Sequence, residues 1–306
     1  MNVDYLSLSG TQQRENLEQA TPIPLESLII DPFANTRDSR FYYSSISHQA
    51  AVTQLQDMLD DGNQGWAYLS SAPGLGKTLL RTVLHKSLDS NRHIGISIEN
   101  SLLDFDQLLL EIISQISGQR AYNSDFPDRY SRLAEFKLLL TEEVVQSGRH
   151  LVLFLDEAQD LERETLDKLR NLSNICAEQS NLMSIILIGG TRLDSTLRGL
   201  PELTQRIAVR AKLLPLDIKQ TGAYVQHRLH IAGSQQPLPF GDNDMESLHG
   251  VSHGVPREIN TILKQAINIA RHSSKNLSAD SLYEALNTRS SVTTGQSTEF
   301  QSLGMS

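Results

Sequence analysis

The chain has 306 residues, an apolar share of 39%, and 27 Lys and Arg against 36 Asp and Glu, a formal net charge of -9. That length holds one large domain or two modest ones with a real core, and the negative balance argues against wholesale coating of nucleic acid while leaving room for a local basic patch. A single cysteine, Cys176, excludes a disulfide framework and a four-thiolate zinc site, and it reads as a small core residue on a helix in a reducing compartment.

In chain order, residues 1–28 are polar with weak periodicity and are expected to form a flexible N-terminal extension. They lack a basic segment followed by an apolar run, and nowhere do about 18 apolar residues run without interruption. A cytoplasmic protein without direct membrane insertion is therefore expected. Between residues 29 and 215 short apolar runs alternate with amphipathic segments, the pattern of a parallel sheet covered by helices on both sides. The predicted strands are 66–71, 93–100, 150–156, 183–190 and 207–214. "LVLFL" (151–155) is apolar at every position and belongs in the sheet centre, whereas "IAVRAKLL" (207–214) alternates as an edge strand does. From Leu216 only helices are predicted, to residue 287. One of them carries Ile259, Ile262, Leu263, Ala266, Ile267 and Ala270 as a single apolar stripe. Residues 288–306, rich in Ser, Thr and Gly, are expected to be a disordered tail. His227, His230, His249, His253 and His272 show no metal-site spacing and read as solvated or packing residues. The fold class is α/β: a three-layer α/β/α nucleotide-binding fold with a parallel five-stranded sheet, followed by a small all-helical domain.

Two stretches carry chemistry. "SAPGLGKTL" (Ser71, Ala72, Pro73, Gly74, Leu75, Gly76, Lys77, Thr78, Leu79) fits the phosphate-loop pattern G-x-x-x-x-G-K-[ST] except that Ser71 stands at the first glycine. Such a loop needs inward backbone N–H groups, a helix N-terminus aimed at the anion, a lysine and a metal-binding hydroxyl. Gly74 and Gly76 supply the backbone freedom, Lys77 reaches the β- and γ-phosphates, and Thr78 ligates Mg²⁺. The loop follows a predicted strand and opens the helix "TLLRTVLHKSL", expected to bury Leu80, Val83, Leu84 and Ser87-Leu88. A small residue at position 71 is sterically tolerable, so the loop reads as a variant and not a disabled one. The second stretch, "HLVLFLDEAQDL" (150–161), is a buried strand ending in adjacent carboxylates. Asp156 there bonds the water shell of the metal, and Glu157 orients and deprotonates an attacking water, with Asp160 the nearest alternative base. Together the two stretches predict an NTPase that uses Mg²⁺ and has the groups to hydrolyse its nucleotide.

With these motifs the chain resembles the AAA+ ATPases, and within them the ExeA/GspA-like branch associated with secretion and cell-envelope assembly. The resemblance runs from about Asp31 to Leu286 and rests also on Pro32, Phe33, Thr36, Asp38, Arg40, Phe41, Tyr42, Ser47 and His48, on "DEAQ", and on "GVPREIN". It implies that the nucleotide is ATP, that the helical domain is a lid, and that Arg257 of "GVPR" is a sensor-2 arginine reaching the γ-phosphate. Pro256 is equally a good helix-starting residue. It further implies an arginine finger at Arg206, with Arg210 and Arg198 as alternatives, acting across a homo-oligomeric ring or filament. A polar sensor-1 residue is usual at the tip of the fourth strand. Here Gly190 stands there and leaves Thr191 to serve, which implies slow or partner-stimulated hydrolysis. Relatives often continue into a transmembrane helix and a peptidoglycan-binding domain, and without those segments in these 306 residues a periplasmic role is not carried over as an expectation.

Three readings follow. The first is an ATP-driven assembly factor acting on a partner protein of a secretion or envelope system. The second is a filament-forming transposition regulator on double-stranded DNA, resembling TnsC, TniB and MuB, which "GGTRLDSTLR" (189–198) suggests. Against it, residues 216–287 hold six Lys or Arg and seven Asp or Glu, giving no basic lid. The third is a nucleotide-binding scaffold with little turnover.

Overall fold

The computed structural model describes residues 21–61, 65–99, 102–175 and 181–289. Cys176, residues 1–20 and residues 290–306, and with them most of what was expected of the two ends, lie outside the described residues. The described residues divide into two compact units, one within residues 37–215 and one that joins residues 21–36 to residues 216–289.

The first unit holds strands β1 (Trp66–Ser70), β2 (His93–Ile98), β3 (His150–Leu155), β4 (Met183–Gly189) and β5 (Ile207–Lys212). All pairings are parallel, in the order β2-β3-β4-β1-β5. Each predicted strand is present, one to two residues shorter at its end. β3 is interior, with Leu151, Val152, Leu153, Phe154 and Leu155 all buried, and β5 is an edge strand whose burial alternates. Both outcomes follow from pattern: a strand covered on two faces can be apolar throughout, and an edge strand wets one face.

The helices of this unit are α1 (Ile46–Asp61), α2 (Lys77–Ser87), α3 (Phe105–Ser117), α4 (Arg129–Leu139), α5 (Arg163–Ile175), α6 (Arg192–Arg198) and the short α7 (Pro201–Thr204). α3 starts at a capping box, in which Asp104 accepts from the Gln107 backbone N–H while the Gln107 side chain accepts from that of Asp104. Its Leu108, Leu109, Ile112 and Ile113 join Phe136 of α4 and the inward residues of β3 and β4 in one core. In α2 the buried set is Leu80, Arg81 and Leu84. Ser87 is exposed, so the expected apolar face turns out narrower and carries a buried arginine, whose partners are described below.

The second unit contains α8 (Ile218–Ile231), α9 (Asp242–Ser252), α10 (Pro256–His272) and α11, over 279–289. The stripe of α10 is buried at every predicted position. Residues 21–36, expected to be divided between a flexible extension and the α/β domain, pack in this unit instead. Buried Arg228 of α8 donates to the carbonyls of Pro32 and Ala34, Asn260 bonds Asn35, and Ile23 forms a β-bridge with Leu277. A buried guanidinium must be satisfied, and these backbone carbonyls satisfy it.

At the amino edge of the sheet, His150 lies 2.8 Å from the Ser184 hydroxyl and edge-on to His93. Burial, reinforced by His93, lowers its imidazole from 6.5 to about 4. An unfolded chain takes up this proton near 6.5, and the folded one does not until about 4. Stability is therefore full above the unfolded value and falls as pH drops through that window, by up to about 3 kcal/mol. Urea melts at about pH 7 and about pH 5 should show the loss, and His150→Gln should remove the histidine's share of it.

Candidate functional site: a phosphate loop and a carboxylate pair

Strands β1, β4 and β3 are neighbours, so the loops after their carboxyl ends lie side by side. These loops begin at Ser71, Gly190 and Asp156. Parallel α/β sheets bind ligands at this edge.

In the first loop Gly74 and Gly76 have φ of 83° and 94°, left-handed values that favour glycine. Gly76 caps α2 without a side chain, which leaves the first-turn N–H groups of the helix to an anion. Ser71 is fully buried, and its N–H donates to the Gly189 carbonyl at 3.2 Å. Its carbonyl and hydroxyl oxygens both lie 3.4 Å from Lys77 Nζ, while the hydroxyl donates to the Ala72 carbonyl at 2.8 Å. The extra hydroxyl thus folds back inside the loop and faces the lysine. Leu75 is buried, and Ala72, Pro73 and Leu79 complete the turn and the first turn of α2.

His48 of α1 supports the loop from behind. Its Nε2 is 2.9 Å from the Leu75 carbonyl and its Nδ1 2.6 Å from the Ser45 hydroxyl. A carbonyl only accepts, so Nε2 carries the proton and Nδ1 accepts from Ser45. Burial lowers the His48 pKa, with the Leu75 hydrogen bond opposing, and the ring is neutral. In a trans peptide C=O and N–H point oppositely, so fixing the Leu75 carbonyl toward His48 aims the Gly76 N–H away from it. His48→Ala should strand a buried carbonyl and loosen this peptide, weakening ATP binding by about tenfold, the equivalent of one hydrogen bond. Calorimetric titration checks this, and unchanged affinity would rule the support out.

Asp156 is buried, and its Oδ1 accepts from the Glu157 N–H at 3.0 Å. Burial raises its carboxyl pKa, and Arg81, the Glu157 N–H and the Thr78 side chain pull it back. The Arg81 guanidinium is itself buried, 3.5 Å from Asp156 and 2.5 Å from Glu99, which also binds Arg37 at 2.5 Å. Thr78 and Asp156 thus meet as a hydroxyl and a carboxylate, hard oxygen donors of the kind Mg²⁺ takes beside phosphate oxygens. No group of three or more His, Cys, Asp or Glu that could cage a metal occurs among the described residues. The hydroxyl and carboxylate donors fit a Mg²⁺ that also takes phosphate oxygens.

Glu157 is exposed, with φ 52° and ψ 35°. Gln159 donates to its carboxylate and to that of Asp160, and accepts from the Gly190 N–H. Thr191 is exposed at the start of α6. Arg206 lies directly before β5, at the amino edge of the sheet, and binds Asn174 of α5. A strand of this length spans about 20 Å, so Arg206 is remote from the loop of its own sheet. Arg210 lies within β5 and Arg198 ends α6, both exposed. Arg257 belongs to the other unit, exposed in the first turn of α10 after Pro256.

The structure therefore brings Ser71, Lys77, Thr78, Asp156 and Glu157 to one sheet edge and leaves Arg206 at the other. The sequence assigns no role to Arg81 or Glu99, and His48 and Gln159 enter it only as marks of resemblance. Arg81 had a legible signal, since it sits between Leu80 and Leu84 on the apolar face of α2. The others depend on contacts between distant segments.

A glycine-bearing loop at a helix N-terminus, with a hydroxyl and a buried carboxylate beside it on an all-parallel sheet, defines a P-loop nucleotide-binding domain. Residues 60–197, a little under half of the chain, match the family model of an AAA domain. The chain is 32% identical over 244 residues to general secretion pathway protein A of Aeromonas hydrophila, which bears out the resemblance to that branch. The alignment covers 77% of this chain and 42% of the relative, so the chain spans less than half of that protein's length. Its fold is similar to the ORC2 protein of Aeropyrum pernix, with a TM-score of 0.63 and 16% identity over 82% of this chain and 71% of that one. It is also similar to Cdc6p from Pyrobaculum aerophilum, with a TM-score of 0.59 and 19% identity over 81% of this chain and 68% of that one. At such identities these two likenesses concern the fold alone. Among the described residues no helix is long and apolar enough to cross a membrane.

Proposed function

We propose that this chain binds ATP with Mg²⁺ and hydrolyses it to drive assembly or remodelling of a partner protein complex, in a secretion or cell-envelope system. The observation that carries the reading is the Ser71–Thr78 loop, whose threonine meets Asp156 at the sheet edge from which Glu157 also follows, while its lysine lies against Ser71. Lys77 holds the β- and γ-phosphates, and Thr78 with Asp156 holds the metal, which when bound neutralises charge on the phosphate oxygens. Glu157 accepts the proton of the attacking water. The alignment with general secretion pathway protein A supports the branch and the kind of partner. A protein consuming ATP belongs where ATP is made available, which supports a cytoplasmic setting.

The position of Arg206 supports a homo-oligomer. An arginine at the amino edge of the sheet serves a γ-phosphate only in a neighbouring copy, and Arg257 is proposed as the arginine contributed by the helical unit. The test is ATP turnover measured with light scattering, in the presence and absence of double-stranded DNA. Turnover with ATP-dependent assembly and indifference to DNA is expected. Stimulation and filament growth on DNA would favour a transposition-type regulator, and binding without turnover under all conditions would leave a nucleotide-dependent scaffold.

A further inference from the structure

Gly189, which ends β4, and Gly190, which follows it, have no side chain to offer the neighbouring loop, and the side chain of Gln159 lies against them. Its Oε1 accepts from the Gly190 N–H at 2.7 Å, and its Nε2 donates to Glu157 Oε2 at 2.9 Å and to Asp160 Oδ2 at 3.0 Å. The amide has only one consistent orientation, because a backbone N–H only donates and ionised carboxylates only accept. The seat is specific as well. A Cβ on Gly189 would come within 2.5 Å of Gln159 Oε1 and 3.3 Å of the Gln159 backbone nitrogen, so any larger residue there displaces the amide. Glu157 meanwhile sits in the left-handed region, which is costly for a residue with a Cβ and persists only where surrounding contacts hold it.

We propose that Gln159 is a positioning residue for the Glu157 carboxylate, supplying from the loop after β3 the polar group that the tip of β4 lacks. One carboxylate oxygen, Oε2, is held by the amide, which restricts rotation and leaves Oε1 for a water. The anchor is rigid because it is main chain: the Gly189 carbonyl accepts from the Ser71 N–H, and Ser71 in turn faces Lys77. A continuous set of contacts thus joins the proposed base to the phosphate loop through β4. The inference rests on the ATPase reading given above.

The test compares Gln159→Ala and Gln159→Glu with wild type and with Glu157→Gln, in the full chain. For each protein ATP affinity, kcat, melting temperature and hydrogen exchange at the Gly190 amide are measured. Gln159→Ala should keep ATP affinity within about twofold, lower kcat by about tenfold to a hundredfold, and expose the Gly190 amide to exchange. Gln159→Glu keeps an acceptor for the Gly190 N–H but loses the donor to Glu157, so a role confined to fastening the loop predicts normal kcat, and a positioning role predicts a loss like that of Gln159→Ala. Adding Gln159→Ala to Glu157→Gln should cost little more than Glu157→Gln alone, as expected of two residues acting through one group. Wild-type kcat in Gln159→Ala, full kcat in Gln159→Glu, or fully additive losses would each overturn the proposal, and unchanged Gly190 exchange in Gln159→Ala would overturn the bridge itself. Failure of the ATPase reading looks different. Wild type would then bind no ATP, or Glu157→Gln would turn over like wild type, and the positioning role would fall with it.

Discussion

Lys77→Ala is expected to lose ATP binding by at least about a hundredfold while keeping its fold. The magnitude follows from the contacts removed: charge-assisted hydrogen bonds to two phosphate groups contribute about 1.5–3 kcal/mol each, and about 1.4 kcal/mol is a factor of ten. The fold should survive because Lys77 is only half-buried, and circular dichroism of the variant checks it. Ser71 makes this variant informative. If the serine oxygens compete with phosphate for the lysine, Ser71→Gly should tighten ATP binding in wild type and do nothing in the Lys77→Ala background. Titration with a fluorescent ATP analogue measures both. Undiminished affinity in Lys77→Ala would mean that nucleotide, if bound at all, is bound elsewhere.

Glu157→Gln is expected to separate binding from chemistry. The amide keeps the size and some hydrogen-bonding capacity of the carboxylate but cannot take a proton from water, so kcat should fall by about a hundredfold or more with ATP and Mg²⁺ affinity retained. Any ATP-dependent oligomer should accumulate, since hydrolysis no longer dissolves it, and size-exclusion chromatography in excess ATP would show this. Turnover near the wild-type rate would transfer the role of base to another carboxylate. Asp160 is the nearest by position, and it shares the Gln159 amide with Glu157.

Much of the architecture was legible in sequence because it depends on local periodicity. Continuous apolar runs marked the strands, including the interior place of β3 and the edge place of β5, and a spacing of three and four residues marked the buried face of α10. Glycine punctuation and a following Lys-Thr marked the phosphate loop, whose backbone requirements only a few residue types meet. The place of residues 21–36 is not legible in this way. Arg228 and Asn260, which attach them to the helical unit, lie 194 to 225 residues from their partners, and no local pattern encodes such a contact.

The sequence by itself determined the class of sheet, the glycine-bearing loop after the first strand and the carboxylates that follow an interior strand, since each is a short stretch whose residue types are dictated by backbone geometry or by full burial. Only the tertiary structure decided which side chains support them. The neutral His48 behind Leu75, the buried Arg81 between Asp156 and Glu99, the serine turned toward its own lysine, and the Gln159 amide seated on Gly189 and Gly190 all follow from how the helices and loops pack on the sheet. Placing β4 between β1 and β3 sets three loops side by side. Polar groups buried there must then find partners from whichever segment lies nearest in space, because leaving them unpaired in the low dielectric of the interior costs more than any local preference can return.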